Sequence, residues 1–166
     1  MTAQLPAGAP ATLREAFAHI GSVEVPTVLD MKVMVLVEAA SMTLYYKTAE
    51  GTQDPAIAAL LQRNGREEML HAQRVSLAIK AISGEDFPPP PAGDNPYLQD
   101  GAAPFAEITR EALTKTAQGE FGGEALYEKW AQAVCHAEAA ERFRANGREE
   151  TDHGNRLLEA AALLPA

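Results

Sequence analysis

Cysteine is almost missing: Cys135 stands alone in 166 residues. That excludes an intramolecular disulfide and leaves no C-x-x-C pair for a rubredoxin-type iron or a structural zinc. A reducing cytoplasm is the expected setting. Basic residues are also few, 14 Lys and Arg against 23 Asp and Glu, and the net charge of -9 offers no counter-charge to phosphate backbones or anionic lipids. No nucleic-acid partner is expected. Apolar runs are short, as at Val33 to Val37 between Lys32 and Glu38, well under the ~20 residues that span a bilayer. Met1 to Thr12 has neither the basic residues nor the apolar stretch of a signal peptide, so no membrane partner is expected either. Aromatics are scarce, at 6%, while hydrophobic residues reach 46% and are rich in Ala. This composition suits helices packed closely around one core.

What is present is a repeat. Asn64-Gly-Arg-Glu-Glu-x-x-His71-x-x-Arg74 returns as Asn146-Gly-Arg-Glu-Glu-x-x-His153-x-x-Arg156, an offset of 82 (146 minus 64). The same offset pairs Glu38 with Glu120, Leu44 with Leu126, Tyr45 with Tyr127 and Lys47 with Lys129; thirteen of the 37 positions from 38 to 74 match those from 120 to 156. The matches fall on ionisable residues and Tyr more than on core aliphatics. Divergence between the halves has therefore spared chemistry rather than packing.

Each half reads as two helices joined by a short turn, an all-α hairpin. The first helix is expected from about Pro26 to Glu50 with Gly51 as its stop, and the second from Asp54-Pro55 to Gly84. In the second half the helices should start near Pro104 and near His136 to Ala137. Glu85 to Ala103, with Pro88 to Pro91, cannot be helix and is long enough to run the length of a bundle as a crossover. A short helix over Leu13 to Ile20 should pack at one end, and the first dozen residues should be loose. The division is then an N-terminal segment, 1–25, and a bundle, 26–164.

Alternating spacings of three and four put Val35, Glu38, Met42 and Tyr45 on the first inner stripe and Asn64, Glu68, His71 and Ile82 on the second. The third carries Leu113, Glu120, Glu124 and Tyr127, and the fourth Phe143, Asn146, Glu150 and His153. Glu and His thus sit inside apolar stripes. Four ionised carboxylates in one core are too costly to desolvate without a positive charge of similar size among them, and two divalent cations would supply it. In Glu68-x-x-His71 and Glu150-x-x-His153 the i,i+3 spacing sets carboxylate and imidazole on one helical face, where both reach one metal or bridge to a second. With Glu38 and Glu120 they make a set of four Glu and two His, the arrangement of ferritin-like di-iron proteins.

On these motifs the chain resembles the ferritin-like di-iron carboxylate superfamily, its bacterioferritin and rubrerythrin branches in particular, over about residues 26–164. The resemblance implies a ferritin-like four-helix bundle of two helical hairpins joined by a long crossover. It implies metal ligands at Glu38, Glu68, His71, Glu120, Glu150 and His153. Tyr45 and Tyr127 match the tyrosine that hydrogen-bonds a ligand carboxylate across the bundle; ordinary core packing is the plainer reading. Glu67 and Glu149 match an acid bonded to the partner motif's His, or are surface acids. Met69 matches the position of a haem methionine, where packing is the expected role. Rubrerythrins carry a rubredoxin domain that this chain lacks, and an extra acid three residues after the third ligand Glu, where Gly123 stands here. Glu124 lies one residue further on the same inner stripe and, with Tyr45 and Tyr127, is a candidate catalytic residue. The Gly122-Gly123 pair serves either close helix packing or access for O2, peroxide or a substrate. His19 is exposed or end-packing, His136 belongs to a turn, and Arg66, Arg74, Arg148 and Arg156 partner acids at the bundle edge.

An oxygen-rich ligand set with two His suits iron or manganese, and zinc can occupy it without redox chemistry. Two iron ions are the expected cofactor. The expected function is an oxidoreductase of the ferroxidase or peroxidase kind, oxidising Fe(II) or reducing O2 or peroxide, in a homodimer or larger homo-oligomer. The alternatives are a di-iron oxygenase acting on a small organic substrate and a non-enzymatic metal-binding or iron-storage bundle.

Overall fold

The computed structural model describes residues 4–165; the start of the N-terminal segment, 1–3, lies outside the described residues. Five α-helices and two short 3-10 turns make up the regular structure, with no strand among the described residues. They are α1 (Leu13–Ser22), α2 (Val28–Ala49), α3 (Pro55–Ser83), α4 (Arg110–Ala133) and α5 (Ala137–Leu163). None is long and apolar enough to cross a membrane.

The ends follow the local chemistry. Thr27 caps α2 in a reciprocal box with Asp30, Asp54 accepts from the amides of Ala56 and Ile57 ahead of Pro55, and Gly84 closes α3 at φ 77, a left-handed conformation that Gly adopts without penalty. The His136 ring caps α5, as its place in the turn suggests. His19 lies 2.7 Å from Asp30, tying the last turn of α1 to the first of α2.

Two expectations about the path are corrected. The third helix does not begin near Pro104 but at Arg110, capped by Thr109. Phe105 is responsible: its amide donates to Thr48 Oγ1 at 2.8 Å and its ring sits 5.1 Å from that of Tyr45, which pins the 104–109 strip to α2 in a non-helical course. The first dozen residues are not loose where described, since Ala9 packs on the core and Tyr97 donates to the Pro10 carbonyl.

α2 packs along α3, α4 along α5, and α3 against α5, with α1 and the 3-10 turns laid on α2. That cover explains why Val33 to Ser41 are buried without a break, where the inner-stripe pattern expects one polar face. Asn95, fully buried in the connection, donates to the Leu36 carbonyl at 2.9 Å. At the far end of α3, Ile82 is exposed rather than inward.

Glycines set how closely helices approach. A Cβ at Gly65 would lie 3.1 Å from Tyr45 Cβ, and one at Gly147 3.2 Å from Tyr127 Cβ, so the repeated Asn-Gly marks where each pair of helices nearly touches. Gly154 is tighter, its Cβ overlapping the Phe121 ring. Overpacking of about 1–3 kcal/mol should outweigh the ~1 kcal/mol that Ala gains over Gly in a helix interior, so Gly154→Ala should lower Tm by a few degrees. A thermal melt identical to the parent's would contradict this contact.

Candidate metal centre

The six expected ligands come from four helices and meet in the interior. Glu38 is supplied by α2, Glu68 and His71 by α3, Glu120 by α4, and Glu150 and His153 by α5; all six are buried. Their ligand atoms form two sets, Glu38, Glu68, His71 and Glu150, and Glu68, Glu120, Glu150 and His153, each within 4.8 Å. Glu68 and Glu150 belong to both. His71 Nδ1 is 3.2 Å from Glu150 and 3.5 Å from Glu68; His153 Nδ1 is 3.4 Å from Glu68 and 3.7 Å from Glu150. The imidazole rings stack at 5.0 Å.

The surroundings repeat with the sequence. Tyr45 donates to Glu120 Oε1 and Tyr127 to Glu38 Oε1, each across the halves. The other oxygens, Oε2 of Glu120 and of Glu38, face His153 and His71 at 3.8 and 4.0 Å. Glu149 accepts from His71 Nε2 at 3.1 Å and from Arg74. Glu67 accepts from Arg156 and lies 3.2 Å from His153 Nε2, without a well-aligned bond to it. Asn64 donates to the His153 carbonyl and Asn146 to that of His71, and each Asn accepts from the Arg of the other half. The plainer reading of Glu67 and Glu149 as surface acids is thereby replaced. Arg74 and Arg156 pair with them, Arg148 pairs with Glu141 at 3.1 Å, and Arg66 is exposed. Met69 is partly buried against the core, as packing implies.

Glu124 departs from expectation. Its side chain is exposed and accepts from the Thr151 hydroxyl. The reason is the close approach of α4 and α5, where a Cβ at Gly147 would meet the Glu124 carbonyl oxygen at 3.3 Å and Cα at 3.4 Å. Backbone, not side chain, fills that contact, so the carboxylate leaves along the edge. The glycine pair divides its work: Gly123 leaves room for Glu150, whose Cγ would lie 2.8 Å from an added Cβ, while a Cβ at Gly122 meets nothing within 4 Å.

Burial and charge set unlike protonation states. Burial raises Glu38 well above the ordinary carboxylate range, with the charges of Glu68 and Glu150 adding to it. Burial, against the His153 hydrogen bond and with the charge of Glu150, pushes Glu120 up to about 8. Burial disfavours charge on both imidazoles, yet their carboxylate partners override it, Glu149 and Glu150 foremost at His71, and Glu120 and Glu67 at His153, which reaches about 12. Glu67 and Glu149 are raised by burial but held at about 2 by His153 and Arg156, and by His71 and Arg74.

The donor set could hold a metal ion. Buried Nδ1 atoms of His71 and His153 have no hydrogen-bond partner and face the carboxylates, while their Nε2 atoms face outer acids, the disposition of metal-bound imidazoles. In the metal-free centre the upward shifts of His71, His153, Glu38 and Glu120 all favour the protonated forms. Metal loading should therefore release protons, and binding should tighten as pH rises, because metal and proton compete for the same atoms. Calorimetry in buffers of different ionisation enthalpy measures the count; zero protons would contradict the assigned states.

No family model matches the chain, and no curated protein or solved structure matches it.

Proposed function

We propose that α2 to α5 form a ferritin-like four-helix bundle, two hairpins joined by the 84–109 crossover, and that its centre holds two iron ions for oxidising Fe(II) or reducing O2 or peroxide. The observation that carries this reading is the pair of four-residue sets sharing Glu68 and Glu150. Glu38 and His71 would hold one ion and Glu120 and His153 the other, with Glu68 and Glu150 close to both sets of donors. Iron, when bound, supplies the electrons for the oxidant; manganese fits the same donors, and zinc fits them without redox chemistry.

The protein's own contribution is placement. Tyr45 and Tyr127 hold one oxygen of Glu120 and Glu38, which leaves the second oxygen for metal. Glu149 holds the orientation of His71 through Nε2 and raises the basicity of its Nδ1, while Glu67 places a negative charge 3.2 Å from His153 Nε2. Burial of His71 and His153 keeps both imidazoles from bulk water, while the four carboxylates line a cavity beside the centre. Anaerobic Fe(II)-loaded protein mixed with O2 or peroxide should oxidise its iron faster than free Fe(II) in the same buffer and faster than a His71→Ala, His153→Ala variant. Equal rates would leave a metal-stapled structural bundle in place of an oxidase. A cavity beside the centre favours the alternative of an oxygenase acting on a small organic substrate.

A further inference from the structure

The repeat allows the two flanks of the centre to be compared position by position. On α2, Val33, Met34, Val37 and Ala40 are all buried. The positions 82 residues later on α4 are Lys115, Thr116, Gly119 and Gly122. Met34, Val37 and Ala40 are matched by the smaller Thr116, Gly119 and Gly122, at a helix cost of about 1 kcal/mol per Gly. A Cβ at Gly119 or Gly122 would meet no atom within 4 Å. Neither glycine is needed for close packing, and both face a cavity of about 800 Å³.

The cavity has a built character. Phe17, Met34, Val37, Phe105 and Leu126 give it apolar walls, and Glu38, Glu68, Glu120 and Glu150 line its floor. A water molecule takes about 30 Å³ of liquid, so O2 or peroxide would fill a small part of this space, whereas small-molecule sites run from about 300 to 1,000 Å³. Two lysines line it. Lys129 is bonded to Glu24 at 2.9 Å; Lys115 is exposed and, among the described residues, has no carboxylate within 4 Å. Lys115 precedes Glu120 by five residues, roughly 7–8 Å along the helix.

We infer that this cavity is a binding site for an apolar organic anion, its hydrocarbon part against the Phe17, Met34, Phe105 and Leu126 walls and its anionic group on Lys115. Such a ligand reaches the carboxylate floor with carbon atoms some distance from its charge. Its role as a substrate rests on the two-metal reading; its binding does not.

The test uses the full chain as purified, with its metal content measured alongside, and decanoate and decanol as probes in calorimetry. Decanoate should bind. Gly122→Phe, which puts a ring into open space on an exposed helix position, should weaken it by about tenfold or more while metal content stays at the parent value. Lys115→Gln should weaken decanoate by roughly threefold to fivefold, the worth of one exposed ion pair, and leave decanol unchanged. Decanoate binding by protein that takes up no iron would support the cavity assignment and sink the two-metal reading. The inference is overturned if iron-replete protein binds no decanoate, if Gly122→Phe leaves binding intact, or if Lys115→Gln changes decanol as much as decanoate. It is also overturned if sedimentation shows a dimer that Gly122→Phe dissociates while no decanoate binds, since a second copy then covers the face.

Discussion

Glu68→Ala and Glu150→Ala should each lose both metal ions, whereas Glu38→Ala and Glu120→Ala should each lose about one. The difference comes from sharing. Glu68 stands in every close grouping of ligand atoms and Glu150 in both four-residue sets, while Glu38 and Glu120 stand in one each. In the proposed two-iron centre, removing a shared carboxylate would strip a donor from both ions and leave their positive charges closer to uncompensated in a buried site. Occupancy should fall from about two per chain to near zero in the first pair and to about one in the second, a larger effect than the 10–100-fold affinity losses typical of outer-shell changes. Gln at 68 and 150 provides a volume-matched check that the chain still folds. Elemental analysis after anaerobic loading reads the result. Full occupancy in Glu68→Ala, or equal losses in all four variants, would contradict the shared-ligand arrangement.

Gly123→Ala should lower metal affinity by about 10–100-fold, as expected when a ligand is reoriented rather than removed, while Gly122→Ala should leave it at the parent value. The two glycines are neighbours with opposite surroundings. A methyl at 123 would sit 2.8 Å from Glu150 Cγ and 3.0 Å from its Cδ, so the carboxylate must move; a methyl at 122 meets nothing. Gly122→Ala should even stabilise α4 by about 1 kcal/mol through helix propensity. The repeat-related position on α2 is Ser41, buried, so the two shared carboxylates are not seated alike and the effect belongs to the α4 side. Metal titration with a competing chelator, beside a thermal melt, separates the two outcomes. Unchanged affinity in Gly123→Ala would show that Glu150 has room to turn.

The buried Glu and His cluster was legible in the sequence because buried charge is costly: six ionisable residues in apolar stripes, repeated at one offset, have few structural explanations, and Tyr45, Tyr127, Glu67 and Glu149 share that offset. Helix ends were legible where a cap carried them, at Asp54-Pro55 and Gly84. The start of α4 was not, because Phe105 is held by Thr48 and Tyr45, residues more than fifty positions away. Glu124 was misread because stripe periodicity locates a Cα, and here the Cα itself fills the contact with Gly147. The Asn-Gly of each motif held that information: a glycine kept in the middle of two helices marks close approach. The cover on α2 by the connection left no periodic trace, since Asn95 acts through a single hydrogen bond to a backbone carbonyl.

The most direct measurement of the central claim is the metal content of the unaltered chain after anaerobic Fe(II) loading and removal of free metal. About two ions per chain is the predicted result, with both lost together in Glu68→Ala. A content near zero, or two ions that survive that substitution, would contradict a two-metal centre built from Glu38, Glu68, His71, Glu120, Glu150 and His153.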